Sequence, residues 1–216
     1  MNRNLFRSLI IIHFLTFPCF SFASEVSANL GVTSNYIWRG VTQSDKNISL
    51  SAGADYSSTS GMYAGIWAAS VDFNDDTRFE YDVYGGFQTS FSNVDMDIGY
   101  IYYGYQGGND LAFSEAYIKA TYENFSFAIS TLFDSEAGGD FADASYIEAA
   151  YSFALAYDIS LGLHAGHYDF DQGGNYQDFN ISLTKGDFSL MVSKVTGNSY
   201  LDDNLLSLSY SKAFDF

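Results

Sequence analysis

Residues 205–216 read LLSLSYSKAFDF. Leu206, Leu208, Tyr210, Phe214 and Phe216 fall on one face of a strand, interrupted by Lys212. Leu205, Ser207, Ser209, Ser211, Ala213 and Asp215 fall on the other. A period of two, with one apolar face and one of mostly small or polar residues, describes a strand held between two media. An aromatic-ended strand of this kind is what outer-membrane β-barrels carry. Residues that face lipid must be apolar, while every second residue faces a wet lumen. Lys212 breaks the apolar row. It must therefore reach an interface with its long side chain or mark a shifted register.

The opposite end of the chain supports the same setting. MNRNLFRSLIIIHFLTFPCFSFA has the parts of a secretory signal: Arg3 and Arg7, an apolar run from Leu9 to Phe17, and small residues up to Ala23. The expected organisation is a cleaved signal peptide at 1–23 and a single β-barrel domain at 24–216. Cys19, the only cysteine, leaves with the signal. Thr16-Phe17-Pro18 before it lacks the small residues of a lipidation site. The mature chain is thus expected to have no disulfide and no cysteine metal site.

Composition narrows the function classes. The formal charge is −17 over 216 residues. Without Arg3 and Arg7 it falls to about −19. Such a chain lacks the basic patches that bind nucleic acid. Aromatic residues make up 19% of it, too apolar for a disordered acidic tail.

Period two recurs throughout. In Thr77 to Gln88, Phe79, Tyr81, Val83, Gly85 and Phe87 oppose Arg78, Glu80, Asp82, Tyr84, Gly86 and Gln88. In 94–105, Val94, Met96, Ile98, Tyr100 and Tyr102 oppose Asp95, Asp97 and Gly99. In 114–123, Ala116, Ile118, Ala120 and Tyr122 oppose Glu115, Lys119 and Thr121. The pattern predicts about twelve strands, each long enough to cross a bilayer at a tilt. They fall near 25–37, 47–57, 62–72, 77–89, 94–105, 113–123, 125–134, 144–154, 158–168, 176–185, 187–196 and 204–216. Short connections alternate with longer acidic ones, as periplasmic turns alternate with outer loops. The predicted fold is all-β: a transmembrane antiparallel barrel.

Four stretches carry a family resemblance. They are Ser34-Asn35-Tyr36-Ile37-Trp38-Arg39-Gly40-Val41-Thr42-Gln43-Ser44, residues 61–73 (GMYAGIWAASVDF), residues 80–87 (EYDVYGGF) and residues 97–105 (DIGYIYYGY). In this order they resemble the bacterial TorF-type family of porin-labelled outer-membrane proteins. The resemblance lies mostly in the first half of the mature chain. It implies an exported outer-membrane protein, with no substrate and no assigned functional residues.

Arg39 follows Trp38 at the expected end of the first strand. It is either a pore-mouth or constriction cation, or a rim arginine paired with an acidic loop, with Trp38 in the aromatic girdle. Arg78, Glu80 and Asp82 on one strand, and Glu115 and Lys119 on another, are expected to line the lumen, because charge on the lipid face costs about 2–4 kcal/mol at mid-depth. They form either an acidic water path or a packed interior. The acidic loops at 72–76, 169–171 and 202–203 are solvated surface or weak sites for a hard cation bridging to lipopolysaccharide. His164 and His167 face opposite ways on a strand, so they form no joint metal site. No serine stands in a diagnostic hydrolase setting, and no cofactor motif is present. The expected function is passive diffusion of small solutes with a preference for cations, without catalysis, cofactor or metal. A closed structural or surface-interaction barrel is the alternative. Expected partners are outer-membrane lipid and lipopolysaccharide, small solutes, and the barrel assembly machinery through the last strand.

Overall fold

The computed structural model describes residues 24–199, 201 and 203–216. The expected signal at 1–23, and Asp202 in the last acidic loop, lie outside the described residues. The strands are β1 (Glu25–Thr33), β2 (Ile37–Trp38), β3 (Val41–Thr42), β4 (Ser49–Ser57), β5 (Met62–Ser70), β6 (Phe79–Phe91), β7 (Val94–Gln106), β8 (Phe113–Tyr122), β9 (Phe125–Ser135), β10 (Ala144–Ala154), β11 (Ile159–Phe170), β12 (Tyr176–Lys185), β13 (Phe188–Thr196) and β14 (Asn204–Asp215). Twelve of them, β1 and β4 to β14, form one closed antiparallel barrel; β2 and β3 pair only with each other.

Closure is made by β1. It pairs with β4 on one side and with β14 on the other, from Ser27 opposite Asp215 to Thr33 opposite Ser209. A closed ladder leaves no strand edge unpaired, the condition for placing strands in lipid. The alternation decides which face each residue takes. In β6, Phe79, Tyr81, Val83 and Phe87 are exposed on the outside, while Glu80, Asp82 and Tyr84 are buried inside. In β14, Leu206, Leu208 and Tyr210 are exposed, while Leu205, Ser207 and Ser209 are buried. The outward band holds Ile66, Val83, Ile98, Ile118, Ile181 and Leu208. Outward aromatics lie toward both rims: Phe91, Tyr122, Phe125, Phe153, Phe188 and Phe214 toward the short turns, Phe79, Tyr81 and Phe133 toward the long loops. An apolar band flanked by aromatic residues is the outer surface of a membrane barrel.

The connections alternate as expected. Tight turns at 58–61, 92–93, 123–124, 155–158 and 186–187 alternate with longer loops at 34–48, 71–78, 107–112, 136–143, 171–175 and 197–203. Lys212 faces outward near the tight-turn rim, where its Nζ donates to Asp187 Oδ2 at 3.0 Å. The register of the last strand is therefore intact, and the lysine reaches a polar rim.

The first strand differs from expectation. It ends at Thr33 rather than at residue 37. From Ser34 the chain turns into the barrel instead of continuing along the wall. Asn35, Tyr36, Ile37 and Ser44 are all buried. Toward the tight turns the inward face is mixed: Gln88 and Ser211 are half-buried and Ser90 is exposed, while Tyr63, Thr184 and Ser189 are buried; toward the long loops Glu80, Thr33 and Ser207 are buried. The long-loop half of the lumen is filled.

Candidate functional site

The filling is the β2–β3 hairpin. Ile37 opposes Thr42 and Trp38 opposes Val41, leaving Arg39 and Gly40 as the turn. Both have positive φ, 46° and 82°. A two-residue hairpin turn with both central residues in that region is the I′ class, which matches the strand twist and favours glycine. Gly40 is also needed for space. A Cβ there would lie 2.6 Å from Asp178 Cβ and 2.6 Å from Val195 Cγ2.

From β1 the hairpin reaches nearly every other wall strand. Tyr36 packs edge-on against Trp67 of β5 with ring centroids 5.6 Å apart, and its hydroxyl donates to Glu80 Oε1 of β6 at 2.7 Å. The Trp38 ring meets Tyr103 of β7, Phe113 of β8 and Tyr168 of β11 at 5.8, 6.0 and 6.1 Å. Gly40 touches β12 and β13. Asn35 O accepts Ser207 Oγ of β14 at 2.7 Å.

Arg39 fixes the tip. Its Nη1 and Nη2 donate to Glu115 Oε1 and Oε2 of β8, both at 2.7 Å. The two side chains are 9% and 3% exposed. Tyr103 and Tyr168 hydroxyls approach the same carboxylate at 3.4 Å. The guanidinium Cζ lies 4.3, 4.2 and 4.9 Å from the ring centroids of Trp38, Tyr146 and Tyr168. A planar, weakly hydrated cation suits such an aromatic pocket, and its fork matches the carboxylate. Arg39 is therefore neither at the rim nor at a strand end, and Trp38 lies inside the lumen rather than in the girdle. The physical reason is the buried Glu115 carboxylate, which the Arg39 guanidinium neutralises through two hydrogen bonds.

The other inward groups form separate centres. Asp97 of β7 accepts Tyr63 Oη at 2.7 Å and Gln88 Nε2 at 3.3 Å, and it faces Lys119 of β8 across the strand pair. Asp178 of β12 accepts Tyr146 Oη at 2.7 Å and lies 3.2 Å from His164 Nε2. Asp55 of β4 accepts the Tyr84 hydroxyl. Of the six charged residues singled out in the sequence, Arg39 and Glu115 are brought together. Glu80 and Asp82 stand side by side on β6, and Lys119 is inward and half-buried. Arg78 does not join them. It precedes β6, is exposed, and donates to Asp75 O at 2.6 Å and Thr77 O at 3.0 Å. Sequence reasoning missed Asp55, Tyr146, Glu148 and Asp178 as inward groups; each occupies an inward position of an alternating strand. His167 faces away from His164 and meets Gln177 Nε2 at 2.9 Å. In the acidic loop at 71–78, Asp72 and Asp75 accept the backbone N–H two residues on, at 3.1 and 2.7 Å, so those carboxylates shape their own loop.

With this geometry in place, the comparisons with known proteins locate the chain. A family described as "Bacterial protein of unknown function (Gcw_chp)" matches residues 21–213, and the chain belongs to it. No curated protein matches the chain. Among solved structures it is similar to the KdgM porin, with a TM-score of 0.57 and 7% identity over 89% of this chain and 99% of that one. A second structure, of the KdgM porin in complex with disordered oligogalacturonate, gives 0.51 and 7% over 89% and 98%. A membrane protein from work on in-meso crystallization gives 0.60 and 11% over 89% and 84%. At these identities the likeness concerns the fold, which is that of porin-like outer-membrane barrels.

Proposed function

We propose that this protein is a porin-like channel of the bacterial outer membrane for passive diffusion of small solutes, with a preference for cations. The observation that carries the reading is the charge of the lumen. Asp55, Glu80, Asp82, Asp97, Glu115, Glu148 and Asp178 face inward, against Arg39, Lys119 and His164. Arg39 is already neutralised by Glu115. Rings of one sign set the sign of the permeant ion. The KdgM porin has been solved with oligogalacturonate, a polyanion; an acidic lumen disfavours such a solute. The four stretches that resemble TorF-type proteins are in keeping with the same outer-membrane setting. No covalent step is involved, so the protein is not an enzyme in this reading. The last strand is proposed as the segment read by the barrel assembly machinery, with lipid and lipopolysaccharide around the wall.

A second reading, a closed barrel with a structural or surface role, is favoured by the hairpin docked across the long-loop half. Planar-bilayer recording separates the two. The purified, folded protein in a salt gradient is expected to show a small conductance with a cation-selective reversal potential. A variant with residues 36–43 replaced by a short Gly-Ser linker is expected to conduct several-fold more. Silence from both proteins sinks the pore reading. Conductance from the hairpin-less variant alone supports the closed barrel.

A further inference from the structure

Among the described residues, Asp82 is the fully buried lumen carboxylate to which no donor is seen to bond. It is 5% exposed, and its Oδ1 is buried without a hydrogen-bond partner. The other fully buried carboxylates among the described residues all have donors. Glu115 has Arg39, Asp97 has Tyr63 and Gln88, Asp178 has Tyr146, and Glu80, 3% exposed, has the Tyr36 hydroxyl. Glu80 stands two residues away on the same face of β6, so two carboxylates share one region without a basic side chain bonded to either. An isolated buried carboxylate is costly unless a cation or a proton neutralises it.

The surroundings are aromatic. In the sheet register Asp82 lies opposite Trp67 of β5 and Tyr103 of β7, and both rings sit on the inward face. Tyr105 lies opposite Glu80, and Tyr36 of the hairpin packs on Trp67. Carboxylate oxygen beside aromatic faces is the environment that holds a weakly hydrated cation. A calcium-type site wants six to eight oxygen ligands. Among the described residues no group of three or more acidic, histidine or cysteine side chains forms such a set.

We propose that Asp82 and Glu80, with the rings of Trp67, Tyr103 and Tyr36, form a binding site for one monovalent cation, an alkali ion or a small primary alkylammonium. The site lies beside the docked hairpin, whose Tyr36 hydroxyl donates to Glu80. The inference rests on the acidic lumen as a cation path, and names the place where the path holds its ion.

The test reads binding at equilibrium, so that it does not depend on conductance. The full mature barrel is refolded in detergent micelles at fixed pH and ionic strength. It is crystallised with thallium(I), and its thermal midpoint is measured in potassium, methylammonium and N-methylglucamine chlorides. The expected result is an anomalous thallium peak beside Asp82 Oδ1, and a higher midpoint in a binding cation than in the bulky N-methylglucamine. A shift with potassium alone identifies an alkali-ion site, and one with methylammonium identifies an organic-cation site. Asp82→Asn, which keeps the shape, is expected to weaken thallium binding about tenfold or more. Where that variant fails to refold, the wild-type map decides. No thallium at Asp82 together with identical midpoints in all three salts overturns the proposal and leaves a proton as the neutralising partner. Undiminished binding in a folded Asp82→Asn variant overturns it as well. A barrel that binds thallium but never conducts refutes the pore reading alone, whereas one that conducts without binding refutes this inference alone.

Discussion

Arg39 and Gly40 do different jobs at the hairpin tip. Arg39 supplies the charge that lets Glu115 stay buried, so Arg39→Ala leaves an uncompensated carboxylate. The expected loss is about 3–5 kcal/mol of hairpin docking. Trp38 fluorescence in a denaturant series measures it, since Trp38 leaves an aromatic pocket when the tip undocks. Replacing both partners, Arg39→Met with Glu115→Leu, is expected to cost less than Arg39→Ala, because no charge is stranded. Additive losses from the two sites in a double-mutant cycle would show that the pair is not coupled. Gly40 supplies geometry. Gly40→Ala places a Cβ against Asp178 and Val195 at a positive φ. The backbone term alone is about 1–2 kcal/mol, before the clash. The expected phenotype is a barrel that still folds but conducts more than the parent in planar bilayers.

At the scale of elements, strand and connection follow different rules of legibility. The period of two in Thr77 to Gln88 sorts the residues of β6 onto the faces they occupy, because each wall strand separates lipid from lumen. Strand ends fall within a few residues of the expected ones wherever a tight turn or polar loop interrupts the alternation. The hairpin was not legible as a plug. Its alternation runs on from β1, so Ser34 to Ile37 reads as more wall. The Ile37-Trp38-Arg39-Gly40-Val41-Thr42 run does carry a hairpin signal, glycine at the second turn position, but where a hairpin goes is decided by tertiary contacts. Arg39 and Glu115 lie 76 residues apart, and no local pattern joins them. The inward faces of Glu80, Asp82 and Glu115 were legible, whereas their partners were not.

The outer arm of the same connection has its own tie. Lys46 Nζ donates to Asp203 Oδ2 at 2.8 Å. This hydrogen bond holds the Asp203 carboxyl below the usual range and raises the Lys46 amine. The Asp203 contribution is complete above the ordinary carboxylate range and is lost as pH falls through its lowered value. The Lys46 contribution is complete below the ordinary amine range and is lost as pH rises through its raised value. The tie is therefore whole at neutral pH. Both groups are exposed, so salt screens it. Hydrogen exchange at residues 43–48, corrected for intrinsic rates, is expected to be faster at about pH 3 than at neutral pH.

For the whole molecule, the two sides of the wall obey opposite rules. Ile66→Arg, on the outward face of β5, is expected to cost about 2–4 kcal/mol in lipid, measured by reversible urea unfolding in vesicles. An equal cost in detergent and lipid would place Ile66 away from the bilayer. Gln88→Arg, at a half-buried inward position of β6, is expected to leave stability close to the parent's and to lower cation selectivity. The hairpin adds a consequence in time. Both of its arms run straight into neighbouring strands, β1 and β4. Once undocked, the tip cannot diffuse away and remains at an effective concentration of order millimolar around its own receptor surface. Re-capture is thus a first-order event over a few ångströms. The electrical signature of such a device is flicker: brief bursts of current closing at a rate independent of protein concentration, with Arg39→Ala lengthening each burst.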